Sequence, residues 1–464
     1  MQDISTKVLI IGGGPGGYVA AIRAGQLGLP TVLVDAGRLG GTCLNVGCIP
    51  SKAIIHVAEA FHARRHSSPF GLTSTATQLD FAKTRDWKDA VVSKLNAGVA
   101  FLLRRNKVTV LEGRAEILDG KTCVITGAAG PTRIRAEHLV IATGSQPVEI
   151  PSLRFGGAIL SSTGLLALDR VPKTLAVVGA GYIGLELGTA FAKLGAKVTV
   201  IEATDAILPA WDHELTQPVA RRLDTLGVSV ALGATAQGLR EDLRDDAVLL
   251  AARKDGEPFA VAAETVLVAV GRKPCTEGFG LERLDLDRDG RFIRVDSRCA
   301  TSMRNVWAIG DVTGEPMLAH RAMAQGELVA DVIAGKRRGF DHNAIPAICF
   351  TDPEIVAVGL SPQAAGSTGI AVKIGTFPFA ANGRALTQAD DGGFVRVVAR
   401  SHDHVIVGIQ AVGAHVSELA SAFTLAIEMG ARAEDIAATI HAHPTRSEAF
   451  QEAALGVLGH AIHI

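Results

Sequence analysis

The sequence predicts an α/β protein that carries one strand–turn–helix–strand unit twice, followed by a separate α+β block. Three observations predict it. Residues 7–35, KVLIIGGGPGGYVAAIRAGQLGLPTVLVD, pass from a β-branched run through a glycine turn into a helical stretch and a second strand ending in Asp35. Residues 174–202, TLAVVGAGYIGLELGTAFAKLGAKVTVIE, repeat that order and end in Glu202. From about Ile345 the texture changes: residues 394–413, FVRVVARSHDHVIVGIQAVG, alternate like an antiparallel hairpin, and helical stretches follow at 417–430 and 446–462. A chain of 464 residues also exceeds what a single core supports, so about three domains are expected.

Each repeated unit carries G-x-G-x-x-G, at Gly12, Gly14 and Gly17 and again at Gly179, Gly181 and Gly184. In both, the acidic residue follows the last glycine by 18 positions. One such motif alone is weak evidence, because glycine turns are common between strands and helices. Here the strand, the helix and the acid at ribose distance all accompany it, twice. Glycines let backbone N–H groups and a helix N-terminus approach a pyrophosphate, and the carboxylate accepts hydrogen bonds from ribose hydroxyls. Two Rossmann-like dinucleotide-binding units are therefore expected. A carboxylate at Glu202, with no basic residue in VIEATDAILP, repels a 2′-phosphate and favours NAD(H) over NADP(H).

The strands 138–147, HLVIATGSQP, and 265–274, TVLVAVGRKP, close the two units, and Pro147 and Pro274 mark exits to a neighbouring domain. A further strand, RNVWAIGDVTGEP, runs to Gly310 and Asp311 before the helical RAMAQGELVADVIAG.

Composition narrows the function. Hydrophobic residues make up 48% and charged residues 20%, the balance of a soluble globular protein. With 46 basic and 47 acidic residues the net charge is −1, so neither nucleic acid nor an anionic membrane is an expected partner. The opening MQDISTKVLIIGGGPGG, with its early acid and glycine-broken run, is unlike a signal or transit segment. Six cysteines in so long a chain do not make a disulfide scaffold, which fits a reducing cytoplasm.

Two of the six stand close together, in GGTCLNVGCIPSK at residues 40–52. Zinc commonly takes four ligands in paired spacing, and Cys43 and Cys48 have no second pair nearby. Both precede the helical stretch SKAIIHVAEAF, where the field of a helix N-terminus lowers a thiol pKa, and Lys52 adds positive charge one turn beyond Cys48. A redox-active dithiol beside a bound nucleotide uses all of these features. A dithiol exchanges two electrons by disulfide exchange, whereas a nicotinamide exchanges a hydride. A flavin joins the two, so FAD is expected in one unit and NAD in the other.

These motifs, with LVIATGSQP, GAGYIGLEL, VIEA, VGRKP, VWAIGDV, MLAHRAMAQG, FPFAANGRA and HAHPTRSEA, run over nearly the whole chain. It resembles the class I pyridine nucleotide-disulfide oxidoreductases, and among them the dihydrolipoyl dehydrogenases. The resemblance implies an FAD domain over 1–150 and an NAD domain over 151–273. It implies a central segment, 274–344, returning to the FAD domain, and an α+β dimerisation domain over 345–464. It makes Cys43 the thiol that exchanges with substrate and Cys48 the thiolate against the flavin. Lys52 stands near flavin N5 with Glu186 as its partner. FAD contacts are implied for Gly12, Gly14, Gly17, Asp35, Thr143, Gly144, Gly310, Asp311 and Ala319. NAD contacts are implied for Gly179, Gly181, Gly184, Glu202 and Gly271, with Tyr182 and Ile183 near the nicotinamide. His443, oriented by Glu448, is the implied acid/base, reaching the cysteines of the other subunit of a homodimer. The implied partner is the lipoyl-bearing acyltransferase of a 2-oxo acid dehydrogenase complex.

Three departures stand out: Asp35 where Glu is commoner, Arg446 inside HPTRSE where an apolar residue is usual, and FTDPE in place of a histidine-containing form. Arg446 is expected to add charge near the His443–Glu448 pair. Two other readings are an NAD(P)H-dependent disulfide or metal reductase and a redox-silent flavoprotein subunit. Glu202 and the lack of any cysteine after Cys349 oppose the first. The presence of Cys43, Cys48, His443 and Glu448 opposes the second.

Overall fold

The computed structural model describes residues 2–65, 70–72, 77–128, 130–241 and 247–464. Its first sheet has seven strands, in the order Thr109–Glu112, Thr31–Asp35, Gln2–Ile11, Gly130–Ile141, Thr122–Gly127 and Arg114–Ile117, with Val306–Ala308 pairing alongside Gly130–Ile141. The strands nearest the glycine turn are parallel. Val8, Leu9, Ile10, Val32, Leu33 and Val34 are buried, as continuous apolar strands of a two-sided parallel sheet must be. Val306–Ala308 arrives from far along the chain, and the helix Ala319–Ile333 that follows packs on the helix Pro15–Gln26.

The second sheet is parallel throughout, in the order Ser229–Ala231, Lys197–Ile201, Thr174–Val178, Thr265–Val268 and Ile159–Leu160. Its helix Tyr182–Lys193 is buried along most of its length, so it is apolar nearly all round. A three-stranded antiparallel sheet, Ala234–Glu241, Ala247–Arg253 and Pro258–Ala263, packs beside it.

The C-terminal region is a five-stranded antiparallel sheet, in the order Ala347–Cys349, Glu354–Gly359, Ile406–Gly413, Phe394–Arg400 and Val372–Pro378. The alternating stretch at 394–413 forms a hairpin of this sheet. Helices Ala420–Glu428 and Glu448–Val457 cover it, and Phe423 and Phe450 meet edge to face in its core. The fold class is thus α/β, with two dinucleotide-binding units and an α+β C-terminal domain. No described helix is long and apolar enough to cross a membrane.

Two ion clusters tie the second unit to the C-terminal domain. Asp352 accepts from Lys193 at 2.8 Å and Arg222 at 2.7 Å, and Arg396 donates to Asp212 at 2.9 Å and Glu214 at 2.6 Å. The aspartate of FTDPE therefore has a structural partner set that its sequence context does not disclose.

Candidate functional site

Both glycine motifs use their three glycines differently. A Cβ on Gly12 would lie 2.2 Å from the carbonyl oxygen of Ala142, and one on Gly17 would lie 1.8 Å from that of Gly12. The equivalent distances are 2.6 Å at Gly179 and 2.1 Å at Gly184. These four are packing glycines. Around Gly181, by contrast, a Cβ would meet nothing within 4 Å, and around Gly14 nothing closer than 3.9 Å. The middle glycine of each motif thus faces space at a helix N-terminus, the cradle a pyrophosphate needs. Gly17 and Gly184 lie behind it and do not line the grooves.

The first groove, about 340 Å³, is lined by Gly12, Gly14, Asp35, Cys43, Cys48, Lys52, Thr143, Gly144, Ser145, Glu186, Gly310, Asp311 and Ala319, among others. Asp35 ends its strand with its carboxylate accepting from the backbone N–H groups of Gly13 and Gly37, which leaves lone pairs for ribose hydroxyls. Ser145 donates to Asp311 and accepts from Arg272 Nε at 2.8 Å, so one hydroxyl couples the guanidinium to the carboxylate.

The second groove, about 660 Å³, is lined by Gly179, Gly181, Glu202, Ala203, Gly271, Arg272 and Glu315, among others. Glu202 accepts from Ala180 N at 2.7 Å and from Thr204 N and Oγ1 at 2.8 and 2.9 Å. Among the described residues, the one basic side chain lining this groove, Arg272, is turned to Ser145. Tyr182, Ile183, Arg272 and Met317 line both grooves, which therefore meet at these residues. Open middle glycines, acids at the strand ends and a shared wall fit FAD in the first groove and NAD in the second.

The cysteines line the first groove and not the second. Gly40 and Gly41 have φ of +95° and +57°, and a Cβ on Gly41 would lie 2.6 Å from Gly14 Cα. That explains the glycine pair before Cys43. Asn45 pins the segment by donating to Leu39 O at 2.9 Å and Gly41 O at 3.0 Å. Cys43 lies in the short helix Gly41–Val46, and Cys48 is the first residue of the helix Cys48–Arg65. The helix thus begins three residues before the Ser51 start read from the sequence, because Pro50 is tolerated in a first turn. Both sulfurs are thiols, and they hydrogen-bond each other. Cys43 holds the shared proton, so its pKa rises, with burial adding to the effect. Cys48 accepts it and falls to about 7, burial opposing and the Lys52 charge assisting. Lys52 donates to Glu186 Oε2 at 2.7 Å, and Glu186 is only 4% exposed.

His443 and Glu448 lie elsewhere in the chain. His443 Nδ1 is 2.8 Å from Glu448 Oε1, and Glu448 Oε2 accepts from Thr445 N at 2.8 Å. Burial opposes ionisation of Glu448, yet these hydrogen bonds outweigh it and its pKa is lowered. The imidazole is exposed, and neither residue lines the cysteine groove of its own chain. Arg446 corrects an expectation: its guanidinium turns away from this pair. It lies 5.1 Å from the centre of the Phe379 ring and donates to Asp390 O at 2.9 Å. Its Nε and Nη1 are buried with no hydrogen-bond partner among the described residues.

Sequence reading did not find Ser145, Arg272 or Phe350. They lie inside LVIATGSQP, VGRKP and FTDPE, but each gains its role through a contact more than a hundred residues away, which those segments do not disclose.

Comparison with known proteins agrees with this geometry. Residues 6–326 match the family model of the pyridine nucleotide-disulphide oxidoreductases, and residues 345–454 match the dimerisation domain of that family. The chain is 58% identical to a dihydrolipoyl dehydrogenase of Pseudomonas aeruginosa, with 100% of each chain covered. It is 46% identical to one of Geobacillus stearothermophilus, over 99% of this chain and 98% of the relative. Among solved structures, LpdA of Mycobacterium tuberculosis superposes with a TM-score of 0.90 at 28% identity, covering 97% of this chain and 99% of that one. The flavoprotein disulfide reductase RclA of Escherichia coli, in a Cu(II) complex, gives 0.87 at 27% over the same shares. The chain belongs to the pyridine nucleotide-disulphide oxidoreductase family.

Proposed function

We propose that the chain oxidises protein-bound dihydrolipoyl groups to lipoyl groups and reduces NAD⁺ to NADH. The observation that carries this reading is the pair of free cysteines, Cys43 and Cys48, on the wall of the flavin groove, beside the Lys52–Glu186 ion pair. Full-length relatives that bear the name dihydrolipoyl dehydrogenase support the substrate class.

In the oxidised protein, Cys43 and Cys48 form a disulfide. A substrate thiolate attacks Cys43 Sγ, the S–S bond breaks, and Cys48 leaves as thiolate. The second substrate sulfur attacks the mixed disulfide, closing the lipoyl ring and releasing Cys43. His443 takes up the proton of the first attacking sulfur, the proton of the second goes to Cys43 as it is released, and Glu448 fixes the His443 tautomer and stabilises its cation. Lys52 favours the Cys48 thiolate by charge. FAD, when bound in the first groove, supplies the two-electron chemistry that links the dithiol to NAD⁺.

The functional unit in this reading is a homodimer in the cytoplasm, docked on the lipoyl-bearing acyltransferase of a 2-oxo acid dehydrogenase complex. The C-terminal domain exposes Leu425, Met429 and Ile440, the last at 96%, an apolar set for a second copy to cover. In that dimer His443 and Glu448 serve the cysteines of the other subunit. The division into 1–150, 151–273, 274–344 and 345–464 follows from the same reading.

Mixed dimers test it. Cys43→Ser and His443→Gln homodimers are each expected to be inactive. Unfolding and co-refolding the two is expected to restore roughly a quarter of wild-type turnover, because half the dimers regain one intact site. No recovery, with mixed dimers demonstrated by mass, would place the histidine and the thiols of each site on one chain.

A further inference from the structure

We propose that Phe350 is a positioning residue whose ring and backbone N–H together hold the Lys52–Glu186 pair beside the redox thiols. The inference rests on the reading of Cys43 and Cys48 as a redox dithiol.

Phe350 follows the edge strand Ala347–Cys349 of the C-terminal domain, while Lys52 and Glu186 belong to helices of the first and second units. One residue touches both partners. Its N–H donates to Glu186 Oε1 at 2.9 Å, the oxygen that Lys52 does not use. The centre of its ring lies 4.5 Å from Lys52 Nζ, within cation–π range. Glu186 is nearly fully buried, so each donor to its carboxylate acts in a low dielectric. Lys52 is different: a third of its side chain is exposed, and its four-carbon stem has many rotamers. A ring face opposite the carboxylate is what confines the ammonium to the groove. By this contact the C-terminal domain reaches the charge next to Cys48.

Several groups face Lys52 and Cys48. Cys43 comes from the short helix Gly41–Val46, Tyr182 and Glu186 from the helix Tyr182–Lys193, and Cys349 from beside Phe350. The proposed dimer adds a His443 imidazole. Burial pushes the Tyr182 phenol up to about 12 and the Cys349 thiol further still, so both remain neutral. Lys52 and Glu186 are therefore the charges that act on Cys48, after its hydrogen bond with Cys43 and its burial.

The backbone N–H survives any substitution, so side-chain variants isolate the ring. Phe350→Leu and Phe350→Met remove the π face at similar bulk, and Phe350→Tyr keeps it. The readout is the pH midpoint of the long-wavelength thiolate absorbance in the two-electron-reduced, FAD-loaded protein, with FAD content measured alongside. The Leu and Met variants are expected to shift that midpoint upward by roughly half a unit or more, and the Tyr variant to match wild type. Coincident titrations of wild type, Leu and Met variants would overturn the proposal. So would a Tyr variant displaced as far as the Leu variant, which would make packing rather than the ring responsible. A wild-type protein without the absorbance would overturn the dithiol reading, and this inference with it.

Discussion

A single shared proton distinguishes Cys43 from Cys48. Cys43 donates its S–H and resists ionisation, whereas Cys48 accepts it, lies at a helix N-terminus and has Lys52 one turn away. The pair thus differentiates into a nucleophile-in-waiting and a ready thiolate. The Cys48 pKa is depressed to about 7, so the anion is present above that pH and is lost as pH falls through it. The thiolate absorbance of the reduced protein is expected to halve near pH 7 and vanish on further acidification. Full absorbance at roughly pH 5 would contradict the shared-proton account. Both thiols were legible in the sequence because their spacing and flanking glycines are local. Phe350 was not, because its two partners lie on separate helices that only the fold brings together.

At the scale of the element, the glycine motifs separate packing from binding, and substitutions should separate them too. Gly184→Ala puts a methyl 2.1 Å from the Gly179 carbonyl and is expected to destabilise the second unit. Gly181→Ala meets no atom of the described residues within 4 Å apart from its chain neighbours. It is expected to preserve the melting temperature while raising the KM for NAD⁺ by about tenfold or more, because the methyl occupies the pyrophosphate approach. Equal losses of stability in the two variants would contradict the distinction. The sequence marks all three glycines of each motif alike; only the coordinates separate the middle one from its neighbours.

The segment FTDPE teaches the opposite lesson. Nothing in its sequence announces Asp352 as a tie between domains, yet it bridges buried Lys193 and Arg222. Burial raises the Asp352 pKa, but the two cations outweigh it and the net shift is downward. With a depressed carboxylate, the stabilisation is present above the unfolded pKa and is lost as pH falls through the folded one. Asp352→Asn leaves Lys193 buried with its main partner gone and is expected to cost about 2–3 kcal/mol in denaturant unfolding near neutrality, with the difference shrinking on acidification. A pH-independent difference would assign the cost to packing instead.

Across the whole molecule, the repeated unit foretold two grooves but not their meeting. Tyr182, Ile183, Arg272 and Met317 wall both, so a flavin in one and a nicotinamide in the other share a boundary, with the thiols on the flavin groove's wall. The C-terminal domain, read from its alternating strands, grips the second unit through Asp352 and Arg396 and reaches the Lys52–Glu186 pair through Phe350. The proposed completion of the site by a second copy is written in no local pattern, and His443 and Glu448 stand outside the groove of their own chain. The most direct test of electron flow through Cys43 and Cys48 is anaerobic titration of the FAD-loaded protein with dihydrolipoamide, followed by NAD⁺. A long-wavelength thiolate absorbance on the first addition and NADH on the second is the predicted result. Flavin reduction by NADH with no response to dihydrolipoamide would contradict it.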